Sequence, residues 1–345
     1  MIGSQNYGSI NSSRQRVRCI QPMSQSVEMR QLGKTGIQVT PIGLGMMEFS
    51  GGGGMMGPLF PVIPQDEKNL IVQAALDGGI NWFDTAEIYG AGVSERSLAT
   101  ALKAAGITDG EVVVATKWFP LLRTARSIPR TINDRLRFLD GFSIDLYMVH
   151  HPYGFSSPEA EMDAMADLVA AGKIRSVGVS NFSAKGMRRA HAALAKRDLP
   201  LAVNQVYYSL LKRDIETNGV LETARELGVT IIAYTPLEAG LLTGKYHADP
   251  QLLASKPFYR RLLFQRQVES SRPLIAALKE IGAGYNATPA QVALNWVIHS
   301  QGETVVTIPG ATKVYQAEEG AGAMQFRLTA DEIARLSELT RGFMK

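Results

Sequence analysis

The sequence predicts an α/β fold, a (β/α)8 TIM barrel, in which eight parallel strands close on themselves inside a ring of helices. From Gln31 onward, short β-branched and apolar runs alternate with longer stretches of helical period, as in a parallel sheet covered by helices. Eight such runs can be counted, which points to a closed barrel. Because such barrels take about 250 residues or more as one unit, residues 29–345 are expected to form a single domain.

An N-terminal β-hairpin is expected before the barrel. It comprises Met29–Leu32 and Ile37–Thr40 around a turn at Gly33–Gly36, and it could cap the barrel floor. The eight predicted barrel strands are, in chain order, Pro41–Gly45, Asn81–Asp84, Val112–Lys117, Ile144–His150, Ile174–Ser180, Ala202–Val206, Thr230–Tyr234 and Thr304–Ile308.

Helices are expected between the strands because apolar residues recur three and four positions apart. The candidates are Asp66–Leu76, Ser94–Ala105, Ser127–Phe138, Pro158–Ala171, Ala184–Lys196 and Gly219–Leu227. Two long loops interrupt the repeat, Glu48–Gln65 after the first strand and Gly240–Arg272 after the seventh. A further helix, Thr329–Arg341, is expected beyond the eighth unit.

Residues 1–28 are rich in Ser, Gln and Arg and are expected to be a disordered or non-native extension. Met23 and Met29 could both initiate translation. An organelle transit peptide is the alternative, because acidic residues are nearly absent from this stretch. No apolar run in the chain approaches the roughly 18 residues of a membrane span, so a cytoplasmic location is expected.

Charge and cysteine content exclude several classes of function. The formal net charge is +4, but no basic run is present, which argues against a nucleic-acid partner. A single cysteine, Cys19, excludes an internal disulfide framework and a cysteine metal cluster. His150, His151 and the other three histidines lack the ligand spacing of a metal site, so no metal is expected.

Polar residues stand at the carboxyl ends of the predicted strands, where the active sites of such barrels form. Asp84, Lys117 and His150 end the second, third and fourth strands, and Tyr89 follows in the second loop. The later strand ends carry Ser180 and Asn181, Gln205, Tyr234, and Pro309 with Gly310. One such residue would have an ordinary structural role, as a helix cap or a core residue. Their concentration at one rim indicates a site.

The residues at the first of these strand ends suit carbonyl chemistry. A phenol has a pKa of about 10, so Tyr89 needs a nearby positive charge to give up its proton readily. Lys117 is expected to supply that charge and Asp84 to hold Lys117, which leaves His150 to bind the carbonyl oxygen or the phenol. Lys117 could instead be the Schiff-base lysine of a barrel aldolase, but a paired Asp84 would keep its amine charged.

Several segments together resemble the aldo-keto reductase superfamily, over a stretch from about Met29 to the C-terminus. They are Phe83–Gly90, Ala115–Lys117, Asp145–His150, Gly178–Phe182, Asn204–Val206, Tyr234–Leu237, Leu242–Tyr246 and Ile308–Ala311. The resemblance implies that Asp84, Tyr89, Lys117 and His150 form a catalytic tetrad. It implies that Tyr89 is the general acid in reduction and the general base in oxidation.

The resemblance also implies that NADP(H) is the cofactor. Ser180, Asn181 and Gln205 would then bind the nicotinamide carboxamide, and Tyr234 would stack on the ring. Further implied cofactor contacts are Gly45, Met46 and Asp84, then Thr235, Pro236, Leu237 and Lys245 at the pyrophosphate, and Gly310, Thr312, Gln316 and Glu319 at the adenosine. Lys313 is a hypothesised additional contact to the 2′-phosphate. Met46 and Gly320 stand where relatives commonly carry Thr and Asn, so cofactor affinity could differ.

The substrate pocket is expected to be apolar. It would be lined by Met55, Met56, Phe60, Trp118, Phe119, His151 and Tyr153, which suggests a small apolar or aromatic carbonyl substrate. His151 replaces a bulky aromatic residue common beside the catalytic histidine. The chain ends soon after Arg341, so the pocket is expected to be open, or covered by Glu48–Gln65 or by a neighbouring subunit. The sequence does not predict an oligomeric state.

Two further features bear on other classes of fold and function. Gly51–Gly54 lacks the G-x-G-x-x-G spacing and follows no complete strand-turn-helix unit, so it does not indicate a Rossmann fold. A nucleotide-binding, redox-sensing interaction protein related to potassium-channel β subunits is the alternative to a reductase. The four intact tetrad positions favour catalysis without excluding that role.

Overall fold

Eight parallel strands surround one axis in the computed structural model, which describes residues 28–54, 57–253 and 258–344. An antiparallel hairpin of β1 (Arg30–Gln31) and β2 (Gln38–Val39) precedes them. The barrel strands are β3 (Leu44–Gly45), β4 (Trp82–Asp84), β5 (Val113–Trp118), β6 (Leu146–Val149), β7 (Ser176–Ser180), β8 (Leu201–Tyr207), β9 (Thr230–Tyr234) and β10 (Val305–Ile308). Each strand pairs with the next along the chain, at the positions predicted from the sequence.

The barrel closes between β10 and β3. Parallel bridges join Ile42 to Thr307 and Gly45 to Gly310 across this seam. The Gly43 N–H donates to the Thr307 carbonyl at 2.8 Å, and the Gly45 N–H donates to the Pro309 carbonyl at 3.0 Å. The predicted (β/α)8 TIM barrel is therefore confirmed.

The hairpin caps the floor of the barrel, as predicted. Leu32, Ile37 and Val39 pack in one cluster with the inward-facing residues of the strands. The Gly33 N–H donates to the Thr230 hydroxyl at 2.8 Å, at the start of β9. The amino ends of the strands are thereby covered, and the opposite ends remain as the mouth of the barrel.

Helices surround the strands, and their described bounds are α1 (Gln65–Asp77), α2 (Val93–Ala104), α3 (Ile128–Phe138), α4 (Pro158–Ala170), α5 (Ala184–Ala195), α6 (Val220–Leu227), α7 (Lys245–Ala248), α8 (Phe258–Ser270), α9 (Arg272–Tyr285), α10 (Pro289–His299), α11 (Val314–Gly322) and α12 (Ala330–Leu339). The first six and α12 match the predicted helices closely. By contrast, α7 and α8 lie within the stretch expected to be a loop, and α9 to α11 were not among the predicted helices. No described helix is long and apolar enough to cross a membrane.

The core has two layers because successive strand residues point to opposite faces of the sheet. The inner layer, with Trp82, Leu146 and Met148 among its members, fills the barrel together with the hairpin. The outer layer lies between the strands and the helices. Since the lower barrel is filled by these apolar residues, polar side chains can gather only towards the mouth.

Candidate active site

Four polar side chains meet at the mouth, where β4, β5 and β6 end. Asp84 is the last residue of β4, Lys117 lies one residue before the end of β5, and His150 directly follows β6. Tyr89 lies in the loop after β4, and its ring stands edge-on to the His150 ring with 5.8 Å between centroids. The Lys117 Nζ atom is 5.1 Å from the centre of the Tyr89 ring. The structure thus brings together the four residues of the predicted tetrad.

Lys117 is fully buried and held by two oxygen atoms. Its ammonium donates to Asp84 Oδ1 and to the Thr85 carbonyl, the latter at 2.8 Å. Asp84 Oδ2 accepts a second hydrogen bond from Gln205 Nε2 at 2.9 Å. Burial raises the pKa of Asp84 and lowers the pKa of Lys117, whereas the attraction between the two opposes both shifts. The contact with Asp84 favours a charged, immobile ammonium over a free amine nucleophile.

The phenol of Tyr89 is protonated at neutral pH. Burial raises its pKa well above 10, and the negative charges of Asp84 and Glu48 raise it further. This direction is opposite to the sequence-based expectation that Lys117 lowers the pKa. The reason is that Asp84 balances the charge of Lys117, while only 9% of the tyrosine is exposed to water. A protonated phenol is the form that a proton donor requires.

The imidazole of His150 is neutral. Burial, the charge of Lys117 and the neighbouring His151 all lower its pKa well below 6.5. Its Nδ1 atom is buried and has no hydrogen-bond partner among the described residues. His150 can therefore give or receive a hydrogen bond at the site, but it is not a source of protons near neutral pH. Near neutral pH Tyr89 is therefore in its acidic form, whereas His150 has already lost its imidazolium proton.

Amide groups cluster beside the tetrad on β7 and β8. Ser180 and Gln205 are paired across these strands, and the Ser180 hydroxyl donates to the Gln205 carbonyl at 2.9 Å. Asn181 has a left-handed backbone, φ 62°, and its Nδ2 atom donates to the His150 carbonyl at 3.2 Å. The same Nδ2 atom lies 3.0 Å from Ser180 Oγ and 3.2 Å from His151 Nδ1, so Asn181 links the end of β7 to both histidines.

Two tyrosine rings form a flat surface next to these amides. Tyr234 stacks on Tyr207 with 5.4 Å between centroids and an interplanar angle of 26°, and its hydroxyl donates to Asn181 Oδ1 at 2.9 Å. The chain after β9 then turns sharply, with left-handed φ values at Thr235, Glu238 and Ala239. Such a backbone costs on the order of 1 kcal/mol or more per residue and is common in segments that hold a ligand.

The chain resembles known proteins over nearly all its length. Residues 41–341 match the model of the Aldo/keto reductase family. The chain belongs to this family.

Individual relatives agree with the assignment. The chain is 35% identical over 322 residues to the aldo-keto reductase str7 of Strobilurus tenacellus, which covers 90% of this chain and 91% of that one. It is 33% identical over 312 residues to the chloroplastic pyridoxal reductase of Arabidopsis thaliana, covering 87% of this chain and 83% of that one. The structure of a glycerol dehydrogenase, AKR11B4 from Gluconobacter oxydans, superposes with a TM-score of 0.74 at 26% identity, covering 90% and 94% of the two chains.

Family membership makes the chain an oxidoreductase that acts on carbonyl groups. The remaining predicted cofactor residues lie along the chain from the end of β9 to α11. Lys245 is exposed, with Nζ 5.1 Å from the centre of the Tyr246 ring. Gln316 caps α11, its Oε1 accepting from the backbone N–H groups of Thr312 at 2.7 Å and Lys313 at 3.1 Å. Pro236 is buried, and Leu237 and Glu319 are half-buried.

Two predicted cofactor residues differ from expectation in their surroundings. The Lys313 ammonium, expected near a phosphate, pairs with Glu67 at 2.6 Å on the surface. Met46 is fully buried in the outer core layer, and it meets the site through its backbone N–H, which donates to the Asp84 carbonyl at 2.9 Å. The reason is that Met46 follows Gly45 at the end of β3, so its side chain points to the opposite face.

The predicted substrate residues divide into two groups. Phe119, His151 and Tyr153 are together, since His151 stacks on Tyr153 at 5.3 Å between centroids and Phe119 stands edge-on to His151. Trp118, in contrast, is fully buried, and its indole N–H donates to the Ser127 hydroxyl at 3.0 Å. It follows Lys117 in β5 and therefore faces the helices rather than the mouth.

The remaining substrate candidates lie on the loop after β3. Phe60 is half-buried there, whereas Met55 and Met56 fall outside the described residues. The glycines of this loop allow a close approach to the chain just beyond Tyr89. A Cβ atom on Gly53 would lie 2.5 Å from the Gly90 carbonyl oxygen, and one on Gly54 would lie 2.9 Å from the Ala91 nitrogen. These glycines therefore allow close packing of the loop. This agrees with the sequence analysis, in which they do not form a dinucleotide-binding fingerprint.

Sequence reasoning missed three side chains of the mouth. Tyr207 supports Tyr234, and Glu238 accepts a hydrogen bond from the Tyr207 hydroxyl. Glu48, in the turn after β3, acts on the pKa of Tyr89. The two-residue spacing from Gln205 to Tyr207 along one strand was a usable signal, because both then point to the same face. For a single glutamate in a loop, the sequence offers no comparable signal.

Proposed function

We propose that this chain reduces aldehydes and ketones to alcohols, reversibly, with NADP(H) as cofactor and Tyr89 as the general acid. The observation that carries the proposal is the convergence of a protonated phenol, a neutral imidazole and a buried ammonium at one point of the mouth. The bound nicotinamide would supply the hydride to the carbonyl carbon.

The side chains of the tetrad have separate tasks in the proposed reaction. During reduction the carbonyl oxygen gains negative charge, and donors placed around it lower the barrier. Tyr89 donates its proton to that oxygen, and His150 orients the oxygen by a hydrogen bond. Lys117, fixed by Asp84, stabilises the phenolate that Tyr89 leaves behind. In the oxidation direction Tyr89 takes the proton back.

The residues beside the tetrad fit a nicotinamide. Ser180, Asn181 and Gln205 offer hydroxyl and amide groups that suit a carboxamide, and the stacked rings of Tyr234 and Tyr207 offer a flat apolar face. Preference for NADP(H) is supported by Lys313. Its pair with Glu67 is exposed, and exposed pairs contribute only about 0–1 kcal/mol, so the ammonium is available to a phosphate.

An apolar or aromatic carbonyl compound is the proposed substrate. The rim beside Phe119 and His151 carries apolar side chains that are largely exposed to solvent. These are Leu121 at 48%, Leu122 at 74%, Tyr153 at 66% and Phe155 at 70% exposure. Burial of apolar area against such side chains contributes about 25 cal/mol per Å². A substrate with an apolar body would therefore bind more tightly than a small polar carbonyl.

The test replaces the proposed acid. Tyr89→Phe removes the phenolic proton and keeps the ring, so turnover of NADPH with an aromatic aldehyde is expected to fall by about 10²-fold or more, with cofactor affinity nearly unchanged. NADPH oxidation is followed by absorbance, and affinity by cofactor fluorescence. Tyr285→Phe, on α9 and outside the predicted site residues, is the matched control and should keep turnover within a few-fold of wild type.

Three measurements distinguish the proposed reductase from the alternative functions. Near-normal turnover in Tyr89→Phe would show that another group is the acid. Tight NADPH binding without turnover on nitrobenzaldehydes, methylglyoxal or phenanthrenequinone would favour the redox-sensing interaction protein instead. Borohydride trapping of a substrate at Lys117 would support the aldolase interpretation.

A further inference from the structure

Glu48 places a carboxylate at the seam where the barrel closes. It belongs to the 3₁₀ helix Met47–Ser50, directly after β3. A Cβ atom built on Gly310 would lie 2.1 Å from its Oε2 and 2.4 Å from its Oε1, so the carboxylate rests on the bare Cα of Gly310. Gly310 in turn bridges to Gly45 on β3. The carboxylate therefore lies over the junction of the first and last barrel strands, beside three of the predicted cofactor residues.

No described residue compensates the charge of this carboxylate. Its own backbone N–H is its hydrogen-bond donor, and the structure gives it no ion pair within the described residues. On α1, Lys68 donates instead to the Phe49 carbonyl at 3.3 Å and the Ser97 hydroxyl at 2.8 Å. Beyond β10, Lys313 is paired with Glu67. The cations of both neighbouring elements are thus engaged elsewhere.

The other charged groups around Glu48 are also accounted for. On α2, which packs against the same 3₁₀ helix, Glu95 accepts a hydrogen bond from the Thr116 hydroxyl and forms an ion pair with Arg135. Arg96 lies over the Phe138 ring. In the loop after β4, the pKa of Tyr89 is raised in part by the negative charge of Glu48, so both groups lie near the mouth of the barrel. Burial raises the pKa of Glu48 to about 7, which leaves ionised and neutral forms in balance near neutral pH.

We propose that Glu48 sets cofactor affinity: its carboxylate opposes the anionic dinucleotide at the seam, and a neutral side chain there binds NADPH more tightly. The proposal rests on the proposed function, because Gly45, Met46 and Gly310 are cofactor contacts only in that case. Bound there, a dinucleotide would bring the negative charge of its phosphates towards this half-buried carboxylate. Like charges repel more strongly at such a site than in open water. Binding therefore favours uptake of a proton by Glu48.

The experiment compares the full-length wild type with Glu48→Gln, which keeps the size of the side chain and removes its charge. NADPH affinity is measured by fluorescence titration at about pH 6 and about pH 8.5, on either side of the Glu48 pKa. Glu48→Gln should bind about tenfold more tightly at the higher pH, or ~1.4 kcal/mol, and within about twofold of wild type at the lower pH. Glu222→Gln, an exposed carboxylate on α6, is the matched control and should follow wild type at both.

A second measurement needs no variant. Calorimetric titration of wild type with NADPH at about pH 8, in two buffers that differ in ionisation enthalpy, should reveal proton uptake on binding. The 2′-phosphate itself titrates near pH 6 and does not contribute at that pH.

Three results would overturn the assignment of Glu48. These are equal affinities of wild type and Glu48→Gln at both pH values, weaker binding by Glu48→Gln at the higher pH, and binding without proton uptake. Weaker binding would mean that the carboxylate accepts hydrogen bonds from the cofactor. In all three cases NADPH still binds, and the proposed function stands. If wild type does not bind NADPH at either pH, the proposed function fails together with this inference.

Discussion

Lys117 and Asp84 form a buried ion pair. Its contribution to the stability of the fold can be measured separately from its contribution to turnover. Neither side chain has appreciable contact with water, so each depends on the other for its charge. Removing one partner of such a pair leaves an uncompensated charge and typically costs about 3–5 kcal/mol, whereas replacing both by neutral groups is often close to neutral.

We therefore expect Lys117→Met to lower the free energy of unfolding by about 3–5 kcal/mol, and Asp84→Asn with Lys117→Met to regain most of that loss. Neither protein should recover turnover, because no ammonium remains to stabilise the phenolate. Urea unfolding and NADPH oxidation measure the two quantities. A single variant as stable as wild type, or a double variant with restored turnover, would contradict this account.

The tetrad could be predicted because each member stands at a strand end, and strand ends are readable from apolar runs. Its electrostatics could not be predicted. The pKa of Tyr89 depends on how far burial outweighs Lys117, and that depends on the contact between Lys117 and Asp84 across two strands. Trp118 shows the same limit, since a shift of one position along β5 decides between the mouth and the outer layer.

Among the elements, β3 is packed so closely at its start that an added side-chain atom would collide with a neighbour. Gly43 lies just before this strand, and a Cβ atom there would be 2.3 Å from Cε2 and 2.5 Å from Cδ2 of Trp82. Gly43→Ala should therefore lower stability by about 1–3 kcal/mol through overpacking. Gly36→Ala, in the hairpin turn, meets no atom within 4 Å and should change stability by less than about 0.5 kcal/mol. Thermal unfolding measures both, and equal losses would refute the packing argument.

The helix α4 carries a buried carboxyl group that titrates near neutral pH. Glu161 is 2% exposed, and burial raises its pKa from 4.5 to about 7. The folded chain thus binds more protons than the unfolded chain between these values, so this group lowers stability as pH rises through that window. Glu161→Gln has no such titration. Its stability relative to wild type should increase between about pH 5 and about pH 8, as measured by calorimetry. A pH-independent difference would be the contrary result.

The helices with one apolar face could be predicted from the spacing of their apolar residues. Helices such as α10 and α8 could not. The helix α10 buries Ala290, Val292, Trp296 and their neighbours on nearly every side, so its sequence lacks the alternation that reveals a surface helix. The helix α8, with α7, lies in a long connection after β9 that has no place in the simple strand-helix repeat. Loop content is the least predictable part of a barrel because it follows local function rather than the repeat.

For the molecule as a whole, the barrel begins at the hairpin. Leu32, Ile37 and Val39 already seal the floor, and the family match begins at residue 41. A chain that starts at Met29 should therefore keep the melting temperature and NADPH affinity of the full chain. Among the described residues it loses the contacts of Glu28 with Arg30 and Arg327, while Arg30 keeps its hydrogen bond to the Val305 carbonyl. A large loss of either property would assign residues 1–28 a structural role.

At this scale the sequence predicted the architecture well, because eight repeats of one pattern admit few other folds. The compartment, the oligomeric state and the identity of the substrate stay predictions or stay open. They depend on surfaces such as the rim of Leu121, Leu122 and Phe155, whose partners are not encoded in any periodic pattern.

The seam between β3 and β10 also bears on how the chain can fold while it is being made. Gly45 finds its partner Gly310 only after roughly 260 further residues have been synthesised, which takes on the order of 10–50 s at about 5–20 residues per second. Until then the first strand has a free edge, and among the described strands β4 alone pairs with it. A nascent chain therefore exposes the unpaired backbone groups of an edge strand through most of translation, and these groups can pair with other chains. Closure of the barrel is then one of the last steps in its synthesis and folding.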